Sequence, residues 1–411
     1  MGQYTDRPDL YASLGPRWVE IEVTALEHNL REVKKILRQS TRLLAVVKAD
    51  GYGAGAVEAA RVFSQAGADY LGVTTLAEGV ELRQHGLNLP ILIMSPLLPE
   101  EIPQALKWDL TLSITSLWEA EAVACAVKET GRKARIHLEI ETGMHRTGLD
   151  LEEVKVLIKD ILHCPGVVVE GIYTHLAHAA NRRKAFEQFS LFCRVCRELE
   201  EEGLSIPLKH VANSFACLAY PEMHLDMVRV GTLLYGQYPV GARRRELGLQ
   251  DPWKVKARLL HVKEVPAGTA VGYGGDYVTK RPTRLGTLPL GYSDGLGLTA
   301  IARPKSLPDL LRFWAKTFLA YWGWQHREEA VFVQGRQVPI VGRVGMQLSL
   351  VDLGSLPVKE GEEVEITLGR PFASARLPRL YLREGEPYLL RLPTGEWRTL
   401  KDGLALRPGS A

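Results

Sequence analysis

Cysteine is scarce in this 411-residue chain: Cys125, Cys164, Cys193, Cys196 and Cys217 are all it has. They are too few and too scattered for a disulfide framework, and a reducing, cytoplasmic setting is expected. Cys193 and Cys196 form a C-x-x-C, but they fall in a stretch, 186–202, whose apolar residues recur at helical spacing. With no second pair nearby, core packing is expected there rather than zinc or redox chemistry. No run of about 18 apolar residues occurs, so no membrane-spanning helix is expected. The first fourteen residues lack the apolar segment of a signal peptide. Charge of one sign is not in excess either. The formal net charge is +3 and basic residues alternate with acidic ones, which argues against a nucleic-acid partner. The densest basic run, Arg243-Arg244-Arg245, reads as a solvated linker.

What is present is ordinary globular composition, 46% hydrophobic and 24% charged, in a chain long enough for two domains with sizeable cores. One stretch stands out. Residues 43–47 form an apolar run that reads as a buried strand. Lys48 ends it, and a glycine-rich turn follows through Gly51, Gly53 and Gly55. A buried ammonium is costly unless compensated, and a desolvated lysine loses its proton readily, which suits it to capture carbonyl groups.

Strand-like runs then recur at 70–74, 91–94, 111–114, 135–140, 167–173, 208–212 and 227–230, with helical patterns between them. With the Lys48 strand they make about eight β/α units, which predicts a (β/α)8 TIM barrel over residues 1–240. The rival, a doubly wound sheet, would place G-x-G-x-x-G after the first strand, and none is there. In a barrel, functional groups gather at the C-terminal ends of the strands. Polar residues fall there repeatedly: Lys48 on the first, Glu139 and Arg146 about the fifth, His175 on the sixth, Asn213 and Ser214 after the seventh, and Arg229 to Gly231 on the eighth. Asn213-Ser214 precedes an apolar helix and offers a cap that could also hold a phosphate. Gly231 would admit a close approach of backbone. His175 and His178 have no acidic or cysteine partner at ligand spacing, so no metal is expected.

Beyond a polar segment at 241–252, runs at 255–265, 284–290, 330–334, 338–344, 348–353 and 363–368 read as strands, predicting a mostly β C-terminal domain over 241–411. An insertion at 303–330 carries Trp314, Trp322 and Trp324. Within it, Leu310, Trp314, Phe318 and Tyr321 recur at helical spacing, so an extra helix covering a surface or a dimer contact is expected there.

The wording Ala45-Val46-Val47-Lys48-Ala49-Asp50-Gly51-Tyr52-Gly53 resembles the lysine motif of alanine racemases, which use pyridoxal 5'-phosphate. Further motifs resemble the same family: Glu139 to Arg146, Val271-Gly272-Tyr273-Gly274, Leu290 to Gly295 and Ile340 to Met346. The resemblance implies that Lys48 holds the cofactor and acts as one catalytic base, with Tyr273 of the partner subunit as the other. It implies phosphate contacts from Tyr52, Asn213, Ser214 and Gly231, and ring contacts from His175 and Arg229. Arg146 would bond the cofactor oxygen and the substrate carboxylate, with Tyr292 at the substrate entrance and the Met346 backbone on the carboxylate. His210 would support Arg229 from behind. Glu139 stands where many members carry a carbamylated lysine, and is expected to supply that negative charge unmodified.

Arg229 only donates hydrogen bonds. Facing a pyridine nitrogen it would keep that nitrogen unprotonated, which favours racemisation over transamination or decarboxylation. An alanine racemase, a homodimer with shared active sites that supplies D-alanine for peptidoglycan, is therefore expected. The alternatives are a racemase of broader specificity or a decarboxylase of the same fold, and a non-catalytic pyridoxal-phosphate-binding protein. Ala54, Gly345 and Gln347 depart from the family pattern, and no counterpart of its C-terminal phosphate-binding tyrosine is evident. These departures bear on substrate breadth.

Overall fold

The computed structural model describes residues 8–161, 164–243, 245–298, 306–321, 330–370, 373–401 and 404–405. They cluster into two compact units. One holds Val23–Pro252 and the other joins the chain before Val23 to the chain from Trp253 onward.

The first strand, β1 (Arg17–Glu22), lies in the second unit. The first unit is a parallel eight-stranded sheet of β2 (Arg42–Val46), β3 (Tyr70–Val73), β4 (Ile91–Ile93), β5 (Thr111–Ile114), β6 (Ala134–Glu139), β7 (Val167–Tyr173), β8 (Leu208–His210) and β9 (Met227–Val230). Neighbours follow chain order, and β2 also pairs with β9 in parallel. Between β8 and β9 the Asp226 N–H donates to the Lys209 carbonyl at 3.1 Å and the Arg229 N–H to the Ala212 carbonyl at 2.9 Å, which draws the ends of the sheet together. The sheet is a nearly closed barrel, as the eight β/α repeats predicted.

The strands are short apolar runs because the barrel interior and the surrounding helices bury both of their faces; every residue of β3, β4, β5 and β9 is buried. Helices begin where the sequence offers caps. Thr75 and Glu78 form a reciprocal capping box at the helix Leu76–Gln84. Ser116 and Asn181 cap Leu117–Thr130 and Arg182–Glu201 with their side-chain oxygens. Cys193 and Cys196 lie in the latter helix, and burial pushes the Cys196 thiol up to about 12, as suits packing.

Two expectations are corrected here. The range 1–240 expected for the barrel took in residues 17–22, but β1 pairs antiparallel with β10 (Trp253–Arg258) and parallel with Arg379–Arg383. Its Trp18 is fully buried among Leu380, Leu382 and Leu390. The segment 241–252 was read as a solvated linker. Its C-terminal half is instead pinned to the helix Val23–Lys35: buried Asn29 donates to the carbonyls of Leu234 and Gln250 and accepts from the Gln250 N–H at 2.7 Å. The Gly248 N–H donates to Glu32.

The second unit is mostly β, as expected. A nine-stranded sheet is centred on β1 and β10, and a four-stranded antiparallel sheet contains Thr283–Leu288 and Ser349–Gly354. The run expected at 255–265 is two strands, β10 and His261–Val265, in different sheets. Strands beyond residue 370, Arg379–Arg383 through Leu404–Ala405, were not foreseen. The expected insertion helix runs over Leu307–Tyr321 and exposes Leu311 and Trp314; Trp322 and Trp324 lie outside the described residues. No helix among the described residues is long and apolar enough to cross a membrane.

Candidate active site

A cavity of about 560 Å³ opens in the barrel unit, lined by residues that end or follow its strands. Nine of the residues singled out in the sequence line it: Lys48 after β2, Tyr52 beyond it, Glu139 and Arg146, His175, Asn213 and Ser214, and Arg229 and Gly231. His210 is fully buried beneath them. The convergence predicted from strand ends is thus present in the structure.

Lys48 opens a tight turn in unusual backbone. Ala49, Asp50, Gly51, Tyr52 and Gly53 have φ of 51°, 53°, 61°, 55° and 88°. Left-handed backbone costs about 1–2 kcal/mol for each residue that carries a Cβ, and such strain is concentrated at functional sites. Hydrogen bonds hold the turn. The Gly51 N–H donates to the Val47 carbonyl at 2.9 Å, and the Ala49 N–H donates to Glu78 at 2.7 Å. Glu78 is the capping carboxylate of the helix Leu76–Gln84, so that cap and the Lys48 turn share one side chain. Burial, and then repulsion from Arg146, hold the Lys48 ammonium below the ordinary lysine range, against a smaller opposing pull from Glu78. A neutral, nucleophilic amine is correspondingly easier to form.

The neighbouring strand β9, paired with β2, supplies Arg229. It is buried, and its Nη1 donates to His210 Nδ1 and to the His210 carbonyl, each at 2.9 Å. Its Nη2 donates to the Thr174 carbonyl at 2.7 Å. The guanidinium carbon lies 4.9 Å over the Tyr173 ring. Burial lowers its pKa to about 10, so it remains charged at neutral pH. His175 is driven the other way from charge: burial, then Arg229, Arg146 and Lys48, lower it to about 3. It is a neutral imidazole across the physiological range. Burial raises Glu139, while its bond from Thr147 (3.0 Å) and the fields of Arg229 and Arg146 oppose that shift.

A second cluster suits an anion. Ser214 Oγ accepts from the Gly231 N–H at 3.0 Å, which leaves its own O–H to donate. A Cβ at Gly231 would sit 2.2 Å from the Tyr52 hydroxyl, so only glycine lets that hydroxyl reach this edge. Burial keeps the Tyr52 phenol protonated. Beside them the buried Thr232 Oγ1 has no hydrogen-bond partner. Asn213 spends its side-chain oxygen on the Ala216 N–H at 3.1 Å. Its expected phosphate contact therefore falls to its amide nitrogen.

The motifs of the second unit also come together with one another. The Tyr292 N–H donates to the Gly345 carbonyl at 3.0 Å and the Ser293 N–H to the Met346 carbonyl at 3.0 Å. Arg343 pairs with Asp276, three residues beyond Tyr273. Tyr273, Tyr292 and Met346 are all exposed on this unit.

The alanine racemase N-terminal domain model matches residues 21–239, and the alanine racemase C-terminal domain model matches residues 253–376. The chain belongs to the alanine racemase family. It is 38% identical over 368 residues to alanine racemase of Desulforamulus reducens, covering 88% of this chain and 91% of that one. It is 34% identical over 394 residues to alanine racemase of Methanococcus maripaludis, covering 89% and 99%. Among solved structures, alanine racemase of Clostridium difficile 630 superposes with a TM-score of 0.81 at 29% identity, covering 92% of this chain and 99% of that one. Alanine racemase of Bacillus anthracis with bound L-Ala-P gives 0.78 at 26% identity, covering 91% and 97%.

Sequence reasoning missed several residues of this alanine racemase family site. Thr74, Ser95, Thr147 and Tyr173 line the cavity. Glu78 was not singled out either, because nothing local marks its bond to the Ala49 N–H.

Proposed function

We propose that this protein interconverts L-alanine and D-alanine with pyridoxal 5'-phosphate as its cofactor. The observation that carries the reading is one cavity lined together by a desolvated lysine amine, a buried guanidinium and a neutral imidazole. The residues present fit the cofactor. Lys48 matches its aldehyde, Arg229 its ring nitrogen, and the Tyr52 hydroxyl, Ser214 O–H and orphaned Thr232 Oγ1 its phosphate. When bound, pyridoxal phosphate supplies the carbonyl that captures the amino group and the conjugated ring that eases loss of the α-proton.

The chain's own groups do the rest. Lys48 takes or returns the α-proton on one face. Tyr273 of the partner subunit serves the other face, because one base cannot readily reach both sides of a planar carbanion. That arrangement makes the working form a homodimer with shared sites. Arg229, which can only donate, would face the ring nitrogen and leave it unprotonated, which would limit delocalisation and favour racemisation over decarboxylation. Arg146 binds the substrate carboxylate with the Met346 N–H, and Tyr292 narrows the entrance. Glu139, within the fields of Arg146 and Arg229, supplies the negative charge that orients them. The five unpaired cysteines suit a reducing cytoplasm, where D-alanine would feed peptidoglycan synthesis.

A second reading, a racemase of broader specificity, is favoured by Gly345 and Gln347 beside Met346. A chiral assay of the purified protein with L-alanine, L-serine and L-lysine decides. The expected result is an equal mixture of D- and L-alanine with slower turnover of the others. Racemisation of none of them, or release of carbon dioxide, would overturn the proposal.

A further inference from the structure

The polar contacts of Arg229 do not stop at His210. They descend through the barrel interior. His210 Nε2 lies 2.9 Å from His137 Nδ1 on β6. His137 is fully buried, and its other nitrogen, Nε2, has no hydrogen-bond partner. The atom facing it is Oε2 of Glu170 on β7, 3.6 Å away, itself buried and without a partner. The second oxygen of Glu170 accepts from the Tyr70 hydroxyl at 2.9 Å, at the start of β3. His210 ends its strand and Tyr70 begins one, so the chain of contacts runs from the cofactor end of the barrel towards its floor. Gly171 makes the room, for a Cβ there would meet His137 Nδ1 at 2.5 Å.

Only one placement of protons satisfies all of these contacts. Arg229 can only donate, so His210 Nδ1 must accept. The His210 proton then sits on Nε2 and points at His137 Nδ1, which must accept in turn. The His137 proton sits on Nε2 and points at Glu170. Both imidazoles are neutral and share one tautomer, each passing its proton away from Arg229. Burial and the Arg229 charge lower His210 well below the ordinary histidine range, which agrees with a neutral ring. Arg229 selects this arrangement from one end, and Glu170 favours it from the other by taking the His137 Nε2–H. Without an acceptor at position 170 that N–H is buried with nothing to receive its proton, and the preference for this tautomer over the reverse one narrows.

We propose that Glu170 is a positioning residue for the racemisation: as the terminal acceptor behind His137 and His210, it fixes both as Nε2–H tautomers and so sets where the Arg229 guanidinium points. The proposal rests on the racemase reading of the site. Long-range ¹H–¹⁵N spectra of histidine-labelled holoenzyme test it. The expected wild-type result is neutral, Nε2-protonated His137 and His210. In Glu170→Leu, which removes the acceptor, a mixed or Nδ1-protonated pattern is expected. A fall in kcat of about ten-fold should accompany it, the lower range seen when a partner that orients a functional histidine is removed, with KM for alanine little changed. Glu170→Gln keeps an acceptor and should retain the wild-type tautomers and most of kcat. Protonation of either histidine on Nδ1, or on both nitrogens, in the wild type overturns the proposal. So do unchanged tautomers and kcat in folded Glu170→Leu. If the Leu variant does not fold, Glu170→Ala, which also removes the acceptor, is read in its place with the same expected and contrary results. A wild type that fails to racemise alanine would sink the reaction assignment, while the spectra would still report the proton arrangement.

Discussion

His210 meets Arg229 twice, once with its ring and once with its carbonyl, both 2.9 Å from the same Nη1. Ring and backbone of a single residue thus hold a charged group that has no carboxylate in direct contact among the described residues. Removing the ring leaves a buried donor short of an acceptor. His210→Leu should cost about 1–3 kcal/mol of folding stability, read by urea unfolding at pH 7. A loss below about 0.5 kcal/mol, the noise of such measurements, would show that Arg229 does not depend on the imidazole.

Arg146 helps to hold the Lys48 ammonium below its ordinary range. Taking away a neighbouring cation relieves repulsion and raises that pKa, which lowers the fraction of free amine at any given pH. In Arg146→Gln the pH profile of pyridoxal-phosphate uptake should shift to higher pH, followed as the rise of visible absorbance after mixing. A profile that stays in place or moves to lower pH contradicts the arrangement.

His175 has a folded-state pKa of about 3, against about 6.5 in an unfolded chain. The unfolded state therefore binds the extra proton, so this contribution is present above pH 6.5 and is lost as pH falls from 6.5 towards 3. For one such group the loss between pH 6.5 and 5.5 is about 1 kcal/mol. Glu139, whose pKa is raised, acts in the opposite direction. Comparison of wild type with His175→Gln isolates the histidine: the variant should lose about 1 kcal/mol less over that interval. Parallel curves would mean that His175 is not held neutral.

Glu139 faces both guanidiniums and accepts from Thr147. Glu139→Gln removes the charge but keeps the shape. It should lower kcat/KM for alanine about ten-fold, by analogy with other partners that orient a functional group, and weaken cofactor binding. Thr147→Val should do less. Wild-type kinetics in Glu139→Gln would remove its assigned role.

The barrel was readable because its strands are short apolar runs separated by helical patterns, and some of those helices also open on a side-chain cap, such as Thr75 or Ser116. Its mouth was readable because Lys48, Arg229 and Glu139 are charged residues at the ends of such runs. β1 was misplaced because its partners, β10 and Arg379–Arg383, lie far along the chain, and an apolar alternation carries no address. Glu78, His137 and Glu170 act through contacts between different strands and helices, so nothing in their own neighbourhoods announces them. Asn29 is the same case: an amide in an amphipathic helix reads as polar surface, but here it is buried and anchors the segment to Pro252.

The central claim is that Lys48 is the group that captures the cofactor. Borohydride reduction of the protein loaded with pyridoxal 5'-phosphate, followed by mass mapping of its peptides, tests this directly. A pyridoxyl group on Lys48 alone, with no visible absorbance and no label in Lys48→Ala, is the predicted result. Label on a different lysine, or a Lys48→Ala protein that still traps the cofactor, would contradict it.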